Sequence, residues 1–433
     1  MAHNEDIADV LVVGAGASGA AFTWSLAQAG INVVCLEQGG WVPTDAFPTS
    51  EADAHIHWQT DFHPDPGFRG LPEDYPINED ETPIAPLMYN AVGGSLIHWG
   101  AHFPRFHPSD FRVKTLEGVA DDWPVSYEEL EPYYDENDRM MGVSGLRGDP
   151  AYPEKPERPC PPLSIRKSGQ LLAKAFDKLG WHWWASDTAI SSVRHHDQDP
   201  DMGNFLRSFA TTDLTYWPEA LKSGAKLETY ARVREITVDA SGNATGVLYY
   251  QDGELKEQKA KAVVLACNGV GTARLLLNSN SALFPNGLAN SSGLVGKCLM
   301  HHPVGSVMGI FDDDLGTEEG GPRGSTMLSQ EFYETNAEHD FIRGYDLQVL
   351  AYNDAPLSAA IGSLLGQKVA WGEGHHEEFN ERFGHTIGIT IMTEDLPEEH
   401  NAVTLDPELT DSNGIPAPKL NYTVSENTTK MLK

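Results

Sequence analysis

Gly14, Gly16 and Gly19 share G-x-G-x-x-G spacing in DVLVVGAGASGAAFTWSLAQAG, and Glu37 follows in INVVCLEQGG. Glycines at these intervals suit a pyrophosphate. The first allows a tight turn, the second lets phosphate oxygens approach the backbone, and the third lets a helix pack on a strand. A carboxylate about 20 residues further on can accept the hydroxyls of an adenosine ribose. Ala17 and Ser18 lie inside the glycine motif and Gln38 beside the carboxylate. A second group lies in YNAVGGSLIHWGAHFPR, where Gly93, Gly94 and Ser95 expose consecutive N–H groups ahead of His98, Trp99 and Gly100. Backbone with so little bulk can lie against a flat ring, hold an anion, or simply turn beside a packed Trp.

The surrounding elements must bring these groups together. Val10–Val13 is an apolar, β-branched run that reads as a buried parallel strand. A helix is predicted from about Ser18 to Ala29, ending at Gly30. Its N-terminal N–H groups and dipole then face the phosphates. A second strand, Asn32–Leu36, delivers Glu37 at its tip. Further on, Lys226–Tyr230, Val233–Val238, Thr245–Gln251 and Leu255–Ala260 read as strands. Ala262–Ala266 reads as another buried parallel strand, followed by Cys267, Asn268 and Gly269 in a turn and a helix over Thr272–Asn278. Two strand–turn–helix units of this kind predict an α/β, doubly wound sheet.

Bulk properties narrow the partners. The chain has 433 residues, enough for two or three domains, and 63 acidic against 30 basic residues give a net charge of −33. Such a chain repels phosphate backbones and anionic surfaces, which argues against nucleic acid and membrane partners. The charge suits high salt, and equally a very soluble ordinary enzyme. No apolar run is long enough to span a bilayer, and MAHNEDIADV has neither a basic nor an apolar signal region, so a cytoplasmic location is expected. Cys35, Cys160, Cys267 and Cys298 form no C-x-x-C pair; Cys35 and Cys267 are expected as buried, reduced thiols, and no zinc site is suggested.

Elsewhere the chain is less explicit. Residues 41–88 lack periodicity and read as an excursion draped over a ligand. His55, His57 and His63 lie there, at a spacing that fits packing or surface histidines better than a metal site. Ser126 and Glu129 form a capping box opening a helix that runs to about Gly142. After a Pro-rich stretch at 145–163, an amphipathic helix is expected over Ser168–Leu179. Trp181, Trp183 and Trp184 then serve core packing or a pocket wall. Val304–Phe311, 341–352 and 385–393 are expected strands of a second, larger sheet, with an acidic Gly-rich loop at 312–325. Ala402–Leu405 and Leu420–Val424 flank a long turn, and Ser425 opens a helix expected to extend past Lys433.

Four stretches together resemble the glucose–methanol–choline (GMC) family of FAD-dependent oxidoreductases: VVGAGASGAAFTWSLAQAG with VVCLEQGG; NAVGGSLIHWGAHFPR; DWPVSYEELEPYYDENDRMMGVSG; and VVLACNGVGTARLLLNS with SSGLVGKCLMHHP. The closing NAVTLDPELTDSNGIPAPKLNYTVSEN is similar to that family's C-terminal region. The resemblance implies a Rossmann-type FAD-binding domain from 1–105 and 225–303, a helical and loop insertion with cap at 106–224, and a substrate domain on an antiparallel sheet from 304–433. Gly14, Gly16, Ala17, Ser18 and Gly19 would hold the pyrophosphate, and Glu37, with Gln38 beside it, the ribose. Gly93, Gly94, Ser95, Trp99 and Gly100 would lie along the cofactor, Val233 would meet the adenine through its backbone, and Cys267–Gly269 would pass close by. A histidine at the position of His98 bonds the flavin covalently in some members; others with a His-Trp pair hold FAD free, and both readings stand at this point.

The implied reaction oxidises a CH–OH group of an alcohol, polyol or sugar to a carbonyl, a base taking the proton while hydride passes to flavin N5. Trp99 departs from the asparagine of many oxidases, so a glucose-type substrate is not implied. By the same resemblance the catalytic His and its partner lie beyond Lys433. His375, His376 and His385 match no catalytic context, and His301 and His302 are expected to pack near the cofactor or the domain seam. The electron acceptor, whether oxygen, quinone or cytochrome, is left open. Two alternatives remain at this level: a flavin-binding protein without alcohol chemistry, and an NAD-dependent dehydrogenase. GGSLIHWG and the second strand–turn–helix unit argue against the latter.

Overall fold

The computed structural model describes residues 7–48, 56–192, 209–315, 325–350, 369 and 371–433. Strand β1 (Ile7–Val13) sits between two parallel neighbours, which explains its unbroken apolar run. Val12 points to one face with Val33 and Cys35, while Leu11 and Val13 point to the other with Val34 and Leu36. Helix α1 (Ala17–Gln28) follows, then β2 (Val33–Leu36). The excursion after β2 contains β3 (Asn78–Glu81), whose all-polar sequence gave no strand signal.

Helix α2 (Tyr127–Met140) opens on the expected capping box, Ser126 Oγ accepting from Glu129 N–H and Glu129 from Ser126 N–H. Helix α3 (Arg166–Leu179) starts two residues earlier than its apolar pattern and ends at Gly180. The Trp triplet leads into β4 (Trp184–Ala185); Trp181 and Trp183 pack against the core formed by α3 and the second sheet. A short helix, α4 (Tyr216–Lys222), places Trp217 beneath the first glycine turn.

The remaining strands are β5 (Lys226–Glu228), β6 (Arg232–Val238), β7 (Ala244–Gln251), β8 (Glu254–Leu265), β9 (Val304–Ile310), β10 (Ser325–Ser329), β11 (Tyr345–Leu350), β12 (Thr386–Thr393), β13 (Ala402–Thr410) and β14 (Pro416–Asn421). They form a six-stranded sheet ordered β5-β2-β1-β8-β7-β6, a five-stranded sheet ordered β4-β10-β11-β12-β9, and a three-stranded sheet ordered β13-β14-β3. Helix α5 (Asn268–Asn278) packs on the face of the first sheet opposite α1, so that sheet is doubly wound. Helix α3 covers one face of the five-stranded sheet.

Several expectations are corrected. Leu255–Ala260 and Ala262–Ala266 are one continuous strand, β8, which changes partner along its length. Gln251 to Gly246 pair antiparallel with its first half, and β1 pairs parallel with the rest. Past Lys259 β7 no longer pairs with it, so Val263–Leu265 are half-buried rather than fully enclosed. The second sheet is smaller than the first among the described residues. Helix α5 begins at Asn268, not Thr272, because Cys267 serves as its N-cap. The turn in 406–418 shrinks to 411–415, since Asp411 accepts the N–H groups of Asn413 and Ile415 and closes it tightly. The helix opening at Ser425 spans Glu426–Met431 among the described residues. Tertiary bonds hold this short element: Asn427 Nδ2 donates to Ile342 O at 2.9 Å and Thr428 Oγ1 to Asp395 Oδ1 at 3.1 Å. His55 and most of the acidic loop lie outside the described residues. Among the described residues no helix is long and apolar enough to cross a membrane.

Candidate functional site

The C-terminal edge of the parallel strands opens into a cleft with a cavity volume of ≈ 350 Å³, within the ~300–1,000 Å³ common for small-molecule sites. Its wall is built around the backbone of one residue, Ala15. Ala15 N–H donates to Glu37 Oε2 at 2.7 Å, and Ala15 O accepts from Gly93 N–H at 3.0 Å and from Trp217 Nε1–H at 2.9 Å. The first glycine turn, the tip of β2 and the second glycine turn are thereby locked together. Gly14 turns at a φ of +100°, and a Cβ on Gly19 would stand 1.8 Å from Gly14 O, which is why the helix can sit so close to the strand. Gly94, at a φ of +60°, presses its backbone on Gly16: a Cβ there would stand 2.9 Å from Gly16 Cα.

Gly16 is the N-cap of α1, and no side chain caps that terminus. Gly16, Ala17 and Ser18 line the cleft at this terminus, and the free N–H groups of a helix N-terminus suit an anion. Across the cleft Glu37 is buried, and its Oε1 also accepts Gly39 N–H at 2.9 Å. Burial outweighs these donors and pushes its carboxyl up to about 7. Each oxygen keeps acceptor capacity for a ribose hydroxyl.

Of the expected residues, Gly14, Gly16, Ala17, Ser18, Glu37, Gln38, Gly94, Ser95, Trp99, Val233, Cys267 and Asn268 line the cleft. Gly19 and Gly93 stand behind the wall, and Gly100 and Gly269 are not part of it. Cys267 is a free thiol that packs against the core of the first sheet while also lining the cleft, where the chain turns into α5. His98 also falls outside the wall. Its ring is enclosed by Phe62 and Tyr89, with centroids at 4.5 and 4.6 Å. Burial, reinforced by the charge of Arg69, lowers its imidazole to about 3, so it is neutral. Ser95 Oγ accepts Tyr89 N–H at 3.2 Å, and Trp99 Nε1–H donates to Ala210 O at 3.2 Å.

Sequence reasoning missed the other wall. Tyr75, Tyr89 and Asn90 come from the excursion after β2 and its exit. Gln38 Nε2 donates to Asn90 Oδ1 at 2.6 Å, Asn90 Nδ2 to Asp74 Oδ1 at 2.7 Å, and Asp74 pairs with Arg69 at 2.7 Å. This chain of polar contacts straps the excursion over the cleft. Arg232, Arg234 and Arg274 also line it, despite the acidity of the whole chain. Arg232 and Arg274 share the buried Asp411, at 3.2 and 2.9 Å, and the Arg274 guanidinium lies 4.4 Å from the centroid of the Tyr75 ring. An arginine inside the apolar ARLLLN run was the one available signal for this wall. His57 and His63 lie in the excursion; His63 Nδ1 accepts Asp65 N–H at 3.0 Å. Among the described residues no His, Cys, Asp and Glu group could hold a metal ion.

Comparison with known proteins is consistent along the chain. Residues 8–304 match the family model described as GMC oxidoreductase. The chain is 43% identical to a 2-methyl-1,2-propanediol dehydrogenase of Mycolicibacterium austroafricanum, an alignment covering 99% of this chain and 79% of that one. It is 29% identical to the fructose dehydrogenase large subunit of Gluconobacter japonicus, covering 97% and 80%. Among solved structures, pyridoxine 4-oxidase from Mesorbium loti superposes with a TM-score of 0.61 at 14% identity, covering 98% of this chain and 79% of that one, a likeness of fold.

Proposed function

The chain belongs to the GMC oxidoreductase family, and from that premise we propose that its cleft holds FAD and serves the oxidation of a CH–OH group in a small alcohol, polyol or sugar. One observation carries the assignment: two glycine turns pressed backbone to backbone at the uncapped N-terminus of α1, opposite a buried carboxylate. The residues fit the group. The helix terminus takes the pyrophosphate, Glu37 accepts the ribose hydroxyls, Val233 borders the adenine, and the Gly93–Ser95 turn leaves room for a flat ring. Bound FAD would supply the hydride acceptor for the substrate carbon.

The chain's own contribution is positioning. Ala15 fixes the two turns relative to Glu37, and the strap through Gln38, Asn90 and Asp74 holds Tyr75 and Tyr89 at the wall. No histidine lines the cleft among the described residues, and we assign the proton-accepting role to none of them. The enclosure of His98 between Phe62 and Tyr89 supports FAD held without a covalent bond.

The visible spectrum of the purified protein before and after acid precipitation tests this reading. A two-band flavin spectrum whose colour passes to the supernatant is expected. Colour in the pellet would show a bond to His98. A purified protein that shows no flavin spectrum and takes up no added FAD would refute the assignment.

A further inference from the structure

The five-stranded sheet ends on β9, VGSVMGI, and among the described residues no strand pairs with its outer side. An open edge offers unpaired N–H and C=O groups to any other strand. Proteins blunt such edges by shortening them or by adding charge, Pro or a bulge. The other edges of the two larger sheets are blunted in this way: β4 and β5 have two and three residues, and β6 carries Arg232, Arg234 and Glu235. β9 has seven residues, no charge and no Pro, and it pairs with β12 without a register shift. Val304, Val307, Met308 and Ile310 are 41–60% exposed, so apolar side chains stand out on both faces of this edge.

The phase of the ladder decides which groups face outward. Phe311 N–H donates to His385 O at 2.8 Å and Thr393 N–H to Pro303 O at 3.3 Å, so the odd-numbered positions of β9 bond β12. Val304, Ser306, Met308 and Ile310 therefore direct their N–H and C=O groups outward, and they are spaced symmetrically about Val307. Against an antiparallel copy of itself, with a two-fold axis at Val307, β9 sets Val304 opposite Ile310 and Ser306 opposite Met308. Each of these pairs exchanges both of its hydrogen bonds.

The side chains agree with that register. Val304 and Ile310, both β-branched, face each other, Val307 faces itself, and Gly305 faces Gly309. Continued outward, the same register lays the exposed His302 of one copy beside the exposed Asp312 of the other and keeps the two Asp312–Asp314 runs apart. A slip to the next register of the same bonding phase sets Val304 against Asp312, or Ile310 against His302. We propose that β9 is a self-docking edge, through which two copies of this chain join antiparallel into one continuous sheet. The occupant is a second copy because the strand complements itself in length, bonding phase and flanking charge. A net charge of −33 on each copy opposes their approach, so association is expected to strengthen with salt.

The test is sedimentation velocity of the purified chain at about 0.1 and about 1 M KCl, in wild type, Val307→Lys and Ser306→Pro. Wild type is expected to sediment at twice the monomer mass, with the dimer fraction larger at the higher salt, and both variants at the monomer mass. Val307→Lys sets two ammonium groups face to face on the axis. Ser306→Pro removes an outward N–H and no bond to β12, so its circular dichroism is expected to match wild type. The register is read by Val307→Cys under mild oxidation. Facing Cα atoms of a non-hydrogen-bonded pair lie about 4.5 Å apart, within reach of a disulfide. A cross-linked dimer absent from oxidised wild type is therefore expected, and none from Gly309→Cys, which faces Gly305. A wild type that is monomeric at both salts overturns the proposal. So does a dimer that survives both substitutions, which has another interface, or a complex with a second kind of polypeptide in place of a dimer. The readout is mass alone, so it stands or falls separately from the flavin assignment.

Discussion

At the scale of single residues the site depends on absent side chains and on one unusual carboxyl. Gly94→Val is expected to abolish flavin colour while leaving the far-ultraviolet circular dichroism unchanged, because a Cβ meets Gly16 Cα at 2.9 Å in the cleft wall and β-branching opposes a positive φ. Glu37 gives a pH signature. Its carboxyl is raised from 4.5 to about 7, so between those values the folded apoprotein retains a proton that the unfolded chain releases. Stability contributed here is therefore lost as pH rises through that window. Thermal denaturation of the apoprotein at pH 5 and pH 8 should show the difference, and Glu37→Gln should flatten it. That amide also sets a donor against Ala15 or Gly39 N–H, so the variant should be less stable at both values. Bound FAD should shift the balance towards the ionised carboxylate, making affinity rise with pH over the same range.

At the scale of elements, caps and buried ion pairs decide what holds. Ser126→Ala removes one arm of the α2 capping box and should cost about 1 kcal/mol in denaturant unfolding. Arg343 matters more. Fully buried, it binds Asp110, Glu334 and Glu394, joining the turn before α2 to the entry of β11 and the exit of β12. Arg343→Met leaves those carboxylates uncompensated and is expected to cost about 3–5 kcal/mol, read as a lowered denaturation midpoint. The same elements show what was legible beforehand. The β1–α1–β2 unit and the box at Ser126 were readable because periodicity, glycine spacing and capping chemistry are local. β3 was not, since Asn78–Glu81 has no apolar residue and exists as a strand only through pairing with β14. Likewise half the cleft wall, Tyr75, Tyr89, Asn90 and the Arg232–Asp411–Arg274 cluster, is assembled by contacts between distant segments and leaves no spacing in the chain.

At the scale of the molecule, charge and topology act together. With a net charge of −33, self-repulsion opposes the compact state, and it is screened within about 3 Å at 1 M salt. The melting temperature is therefore expected to rise between 0.1 and 1 M KCl, and a fall would show that specific surface ion pairs outweigh the net repulsion. Arg232, Arg234 and Arg274 nonetheless place positive charge along the cleft, Arg232 and Arg274 shared with the buried Asp411. Topology adds a constraint of time. β1 is completed by β8, and the side chains that meet across this pair, Asp9 and Lys261, are separated by 252 positions. A ribosome adding 5–20 residues each second needs roughly 13–50 s to traverse that interval. Through it the glycine turn is already synthesised but lacks the strand that closes its floor. The nascent chain thus cannot form a complete nucleotide-binding turn early, and cellular helpers have roughly 13–50 s in which the unclosed sheet is open to them.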